Sequence, residues 1–168
     1  MVKKYRKTRK YGRLLTLGVT VILIGIVIFY FYSAEQGKVR GFNFGNELQK
    51  IQEKLKNEQS DFYSKVTMWK EDSLTKNEII EFSEIHFQNM NKIVSEYNTL
   101  QIPDAFTGAI KLFKLSTESQ LESDIHLINW IKSGDESEKI RSNEILQQSF
   151  EYEMAALTSY NNAKNTTP

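Results

Sequence analysis

The run from Leu14 to Tyr32, LLTLGVTVILIGIVIFYFY, holds nineteen residues and no charge. As a helix rising roughly 1.5 Å per residue it would cover about 28 Å, close to the roughly 30 Å hydrocarbon thickness of a bilayer. A chain with such a run must place it in lipid or bury it on every side. The residues before it decide between these fates: Lys3, Lys4, Arg6, Lys7, Arg9, Lys10 and Arg13 precede it with no acid among them. By the positive-inside tendency this leader, residues 1–13, is expected in the cytoplasm, 14–32 across the plasma membrane, and everything from Ser33 onward outside the cytoplasm. The expected localisation is thus single-pass in the plasma membrane, with an extracytoplasmic C-terminal domain.

A cleaved secretory signal also begins with basic and then apolar residues, but its apolar core runs about 7–15 residues and ends in a small-residue A-x-A pattern. Here the core is longer, and bulky Tyr32 stands two positions before Ala34, so the segment is expected to stay as a signal-anchor. A prepilin-type leader ending at Gly12 would leave Arg13 to open the mature chain and Leu17 where a glutamate is typical. The chain has no cysteine, which excludes a lipoprotein anchor and disulfides, so the external part must be stable by packing alone.

The formal charge of +1 conceals an asymmetry: the leader carries +7, whereas residues 33–168 hold fifteen Lys and Arg against twenty-one Asp and Glu, a net of −6. Seven basic residues abutting a span are accounted for by anionic lipid headgroups, at about 1 kcal/mol per residue near the surface. The bilayer is therefore the expected partner of the leader, and no nucleic acid is expected. Tyr5 and Tyr11 on one side, and Phe29 to Tyr32 on the other, suit the headgroup zone. Residues 33–45 include Gly37, Gly41 and Gly45 in a polar setting and read as a flexible linker.

Beyond the linker the pattern is helical. Asn46 is a candidate cap for a first helix of about 46–70, with Leu48, Ile51, Leu55, Phe62, Val66 and Trp69 on one face. Thr75 and Glu78 have capping-box spacing, with Leu74 and Ile79 at the staple positions, and open a second helix running to about Leu100. Its stripe is Ile79, Phe82, Phe87, Met90, Ile93, Val94, Tyr97 and Leu100, ended by Pro103. A third helix from Pro103 or Asp104 presents Phe106, Ile110, Phe113, Leu121, Ile125, Ile128 and Ile131 and stops at Gly134, suited to a left-handed C-terminal turn. Asp135 then caps a fourth helix, to about Asn162, presenting Ile140, Ile145, Phe150, Met154, Leu157 and Tyr160. No useful strand alternation and no 20–50-residue repeat occurs.

Four amphipathic helices with short connections predict an all-α fold: a transmembrane helix followed by an antiparallel up-down four-helix bundle over 46–163, with 164–168 as a disordered tail. That topology puts Trp69 and Trp130 at one level, at the end away from the membrane. There they either close the core or offer a partner-binding surface, tryptophan being enriched in binding hot spots.

The chemistry is sparse. His86 and His126 have Ser83 and Ser123 three residues before them, so the Glu-x-x-His of bundle metal sites is missing. Glu118, Glu122 and His126 share a helix face, which reads as a solvated polar surface. No phosphate loop, G-x-S-x-G or H-E-x-x-H motif occurs. No catalytic residue, cofactor or metal is expected, nor enzyme activity. Asn165-Thr166-Thr167 matches a glycosylation sequon.

Residues from about 81 to 157, in particular LFKLSTESQLES, WIKSGDESEKIRS and QQSFEYEMAAL, resemble the external helical region of uncharacterised single-pass membrane-anchored proteins of archaea. The resemblance implies the same anchored topology and assigns no activity. The function expected is a binding, scaffold or accessory module working with an envelope or membrane protein. An extracytoplasmic sensor input module is the alternative; lacking a cytoplasmic signalling domain, it would act through a partner.

Overall fold

The computed structural model describes the backbone of residues 39–166 and the side chains of residues 43–165. The described residues are helical with no strand: α1 (Val39–Lys70), α2 (Lys76–Glu96), α3 (Thr107–Ser133) and α4 (Glu136–Thr166). Two single turns of 3₁₀ helix, Tyr97–Thr99 and Asp104–Phe106, carry the chain from α2 to α3 around Pro103. The leader, including Lys3 to Arg13, and the apolar run Leu14–Tyr32 lie outside the described residues. Among the described residues no helix is long and apolar enough to cross a membrane.

The helices alternate in direction, as expected. Along α1, Phe44 meets Phe106, Gln52 meets Tyr97, Gln59 meets Asp124 and Trp69 meets Trp130. Residue numbers thus rise together in α1 and α3, while from Tyr97, just past α2, to His86 within it they fall against them. Two of the ends follow their sequence signals closely. Thr75 and Glu78 form the full capping box, and the bonds from Thr75 hold the Glu78 carboxyl below the usual carboxylate range. Gly134 adopts φ +76°, its amide donating to the Trp130 carbonyl at 2.7 Å, and Asp135 Oδ1 accepts from the Ser137 amide at 2.9 Å.

The α1–α2 turn closes in a way the sequence hid. Asp72 takes φ +59°, with amide bonds from Asp72 to the Trp69 carbonyl and from Ser73 to the Met68 carbonyl. This is a Schellman closure with aspartate at the position where glycine is usual, tolerated because a short polar side chain can occupy the left-handed region.

Two boundaries are corrected. α1 begins at Val39, so residues 39–45 of the expected linker are helical; Phe44 is buried, its ring 5.3 Å from that of Phe106. Asn46 is consequently interior to α1 rather than its cap. At the other end α4 continues through 164–166 of the expected tail. The apolar contact of Phe44 with Phe106, in the turn before α3, accounts for the longer first helix.

The core has two apolar blocks. One combines Phe44, Leu48, Ile51 and Leu55 of α1 with Met90, Ile93 and Tyr97 of the second helical stretch, Ile110, Phe113 and Leu121 of α3, and Ala156 of α4. The other, toward the Trp end, holds Phe62, Val66, Ile79, Ile128 and Ile131. The α3 and α4 stripes need correction: Ile125, Ile140 and Met154 are exposed, at 38%, 57% and 51%. Leu157 and Tyr160 of the expected α4 stripe do pack half-buried on the first block, but the fully buried positions of α4 are Ser142, Ser149, Ala156 and Ala163, each seven residues from the next, with Glu153 among them. Ala109, Ser116 and Ser123 repeat that spacing on α3. A seven-residue repeat keeps one seam facing a partner helix, and small side chains let the two backbones come close. Ser123 Oγ accordingly reaches the Ser142 carbonyl at 2.8 Å.

Candidate functional site

The apolar stripe of α1 steps from Leu55 to Phe62, and the residues between, Glu58 and Gln59, enter a polar layer that separates the two apolar blocks. Asp124 of α3 is its centre and is fully buried. Gln59 Nε2 donates to Asp124 Oδ2 at 2.8 Å, the Tyr63 hydroxyl donates to Oδ1 at 3.1 Å, and His86 Nε2 lies 3.0 Å from Oδ2. The other ring nitrogen of His86 lies 2.9 Å from Glu58 Oε1, and Asn89 donates to Glu58 Oε2 at 3.2 Å. Phe62 covers the imidazole face, with ring centroids 4.0 Å apart and planes 11° from parallel.

Either ring nitrogen of His86 can donate to the carboxylate it meets, the roles depending on the tautomer. Burial, and next to it the charge on Asp124, push the Tyr63 hydroxyl well above its usual range, so it remains a donor. Each polar group of the layer thus has a partner, as buried polar groups require. Glu58, whose side chain is 19% exposed, brings the edge of the layer to solvent.

Paired histidine and aspartate invite comparison with a catalytic dyad, but a general base needs a ring nitrogen free to face its substrate. Both nitrogens of His86 are committed, and His86 and Asp124 are inaccessible. The layer ties α1, α2 and α3 in a single register.

The Trp end is the second candidate region. Trp69 and Trp130 meet edge to face, centroids 5.6 Å apart, and are half-buried against the second apolar block. Trp130 is heavily engaged within the chain: its indole N–H donates to Glu136 at 3.0 Å and Lys139 lies 4.4 Å above its ring. Glu136 lies below the usual carboxylate range, held there first by its bond from Lys139 and then by that from Trp130. Trp69, by contrast, has no hydrogen bond on its indole nitrogen among the described residues. Close by, His126 Nδ1 contacts Glu138 Oε2 at 2.6 Å, and this bond is the main cause holding Glu138 below the usual range. Glu122 stands 3.9 Å from the other ring nitrogen and Glu118 pairs with Lys114. Among the described residues no group of three or more His, Asp or Glu is placed to hold a metal ion.

Sequence reading placed the two tryptophans together; it weighed His86 only against a metal motif and did not join it to Glu58 and Asp124. The signal available was negative: polar residues at 58–59, 83 and 86, and 117, 120 and 124 fall where each stripe should be apolar. Asn165 is exposed in the last turns of α4. Neither protein-family models, curated proteins nor solved structures give a match to this chain.

Proposed function

We propose that the chain is a single-pass plasma-membrane protein with a cytoplasmic basic leader, whose extracytoplasmic bundle is a binding, scaffold or accessory module for an envelope or membrane protein. The resemblance to membrane-anchored archaeal proteins and the run Leu14–Tyr32 support the tethering. The observation that carries the module reading is the double commitment of His86. The buried ionisable groups of that layer are spent on holding helices together, which leaves recognition to the surface. α1, about 48 Å long at 1.5 Å per residue, would carry the Trp end outward from its tether. Trp69 supplies there a large ring with its donor unspent, the combination favoured at binding hot spots.

The test joins topology to binding. Protease added to intact cells stripped of their wall should digest the bundle; a protected C-terminal tag would overturn the tethering. A photocrosslinker at position 69 of the full chain should give a discrete adduct with an envelope or membrane protein. The same group at Ile85, on the flank, should not. Trp69→Ala should lose the partner while the bundle stays folded, at a stability cost of about 1–2 kcal/mol from the half-buried ring and its edge-to-face contact with Trp130. Equal adducts from both positions, or none, would reject the Trp end as the contact. An adduct with a signalling protein would redirect the reading to a sensor input module.

A further inference from the structure

α1, α3, α4 and the 3₁₀ turn after α2 each contribute one polar residue to a second level of the core. Gln52 of α1 donates to the Tyr97 hydroxyl at 2.7 Å, and Tyr97 lies 3.1 Å from Thr117 Oγ1 of α3. Thr117 in turn gives its own proton to the Phe113 carbonyl. The fourth member is Glu153 of α4, one turn from both Ser149 and Ala156 of the small-residue seam. It is 5% exposed, and its Oε2 has no hydrogen-bond partner. Its charge, when present, is felt at Tyr97.

The buried polar groups at this level carry no positive charge. The 3₁₀ turn after α2 presents Tyr97, a neutral phenol kept protonated chiefly by burial, with Glu96 beside it already paired to Lys54 at 2.6 Å. α1 presents Gln52, and α3 presents Ser116, Thr117 and Gln120, all uncharged. On α4 itself the neighbours are exposed Glu151 and half-buried Tyr152. Among the described residues no ion pair offsets the burial.

We infer that Glu153 is a proton-operated latch of α4: its neutral carboxyl closes the α3–α4 seam, and loss of the proton loosens α4 from the other three helices. Burial is the cause that raises this carboxyl from its ordinary range to about 7. A group raised in the folded state lends its stability at low pH. The contribution is complete below the unfolded value near 4.5 and is lost as pH climbs through about 7. The latch therefore works across neutrality, in the window where a chain exposed to its surroundings meets changing acidity. It acts whether or not the bundle is tethered to a membrane.

Hydrogen exchange on the full chain in detergent, corrected for intrinsic rates, reads the latch directly. Opening of α4 amides should increase about tenfold from pH 6 to pH 8 in the natural chain, following the linkage relation. In Glu153→Gln, which is permanently neutral, it should stay flat, and α1 amides should be the less responsive in both. A flat natural chain, or an unchanged slope in Glu153→Gln, would overturn the latch. Should that variant fold poorly, the carboxyl-carbon resonance of Glu153 in the natural chain decides: a midpoint near 7 supports the latch, and one in the ordinary glutamate range rejects it.

Discussion

The contacts among α1, α2 and α3 and the contacts between α3 and α4 are two different answers to one packing problem. The first three helices fill the space between them with Phe44, Leu48, Phe62, Met90, Ile93 and Phe113, and keep register through the His86 layer. The fourth helix meets α3 through Ala109, Ser116 and Ser123 against Ser142, Ser149, Ala156 and Ala163. Large side chains gain stability from the apolar area they remove from water. Small ones gain it from the many close contacts made when two backbones approach. A region of the first kind suffers from truncation and a region of the second kind from enlargement.

The largest effect should come from emptying the first region. Phe113 is 1% exposed among residues from three helices, so Phe113→Ala should cost about 3–5 kcal/mol in denaturant unfolding of the full chain, through lost burial and a residual cavity. A loss of a few tenths would mean that the region collapses freely and is no different in kind from the seam.

Enlargement should be the more selective blow to the second region. Ala156 is fully buried at the seam, and Ala156→Leu should cost about 1–3 kcal/mol through overpacking. Its hydrogen-exchange signature should be largest in α3 and α4. Unchanged or improved stability would show that the seam has room and that small residues are not what sets its spacing.

The smallest effect separates size from polarity within the seam. Ser149 is buried, but its hydroxyl bonds the Leu146 carbonyl of its own helix at 2.7 Å. Ser149→Ala should therefore change stability by no more than about 0.5 kcal/mol, since no bond between helices is lost. A loss above about 1 kcal/mol would mean that the hydroxyl holds α4 to α3 and would erase the distinction drawn between the regions.

Much of the first region was legible. Leu48, Ile51, Leu55, Phe62 and Val66 repeat with helical period and are buried, and the capping box at Thr75 and the left-handed Gly134 mark their helix ends as local chemistry requires. The seam was not. A search for large apolar residues selects Ile140 and Met154, which face solvent, and passes over Ser142 and Ala156, which do not. Serine and alanine lack the contrast with their surroundings that makes a stripe visible, although their seven-residue spacing was there to be read. Glu138 shows the same limit at the scale of one side chain. Three residues after the cap at Asp135, it has the spacing to reach back, yet it bonds His126 of α3.

The sequence by itself determined that four helices form outside the apolar run and where most of them stop, because caps, glycine conformation and proline act within a few residues. It also implied the alternating order, since short connections return each helix beside the last. Only the tertiary structure decided which face α4 buries, that Glu58, His86 and Asp124 meet, and that Glu153 has no ion-pair partner among the described residues. These depend on residues 28, 38 and more positions apart along the chain. Whether a carboxylate is a solvated ornament or a buried proton acceptor is set by what other helices bring to it, and that is not written in its neighbours.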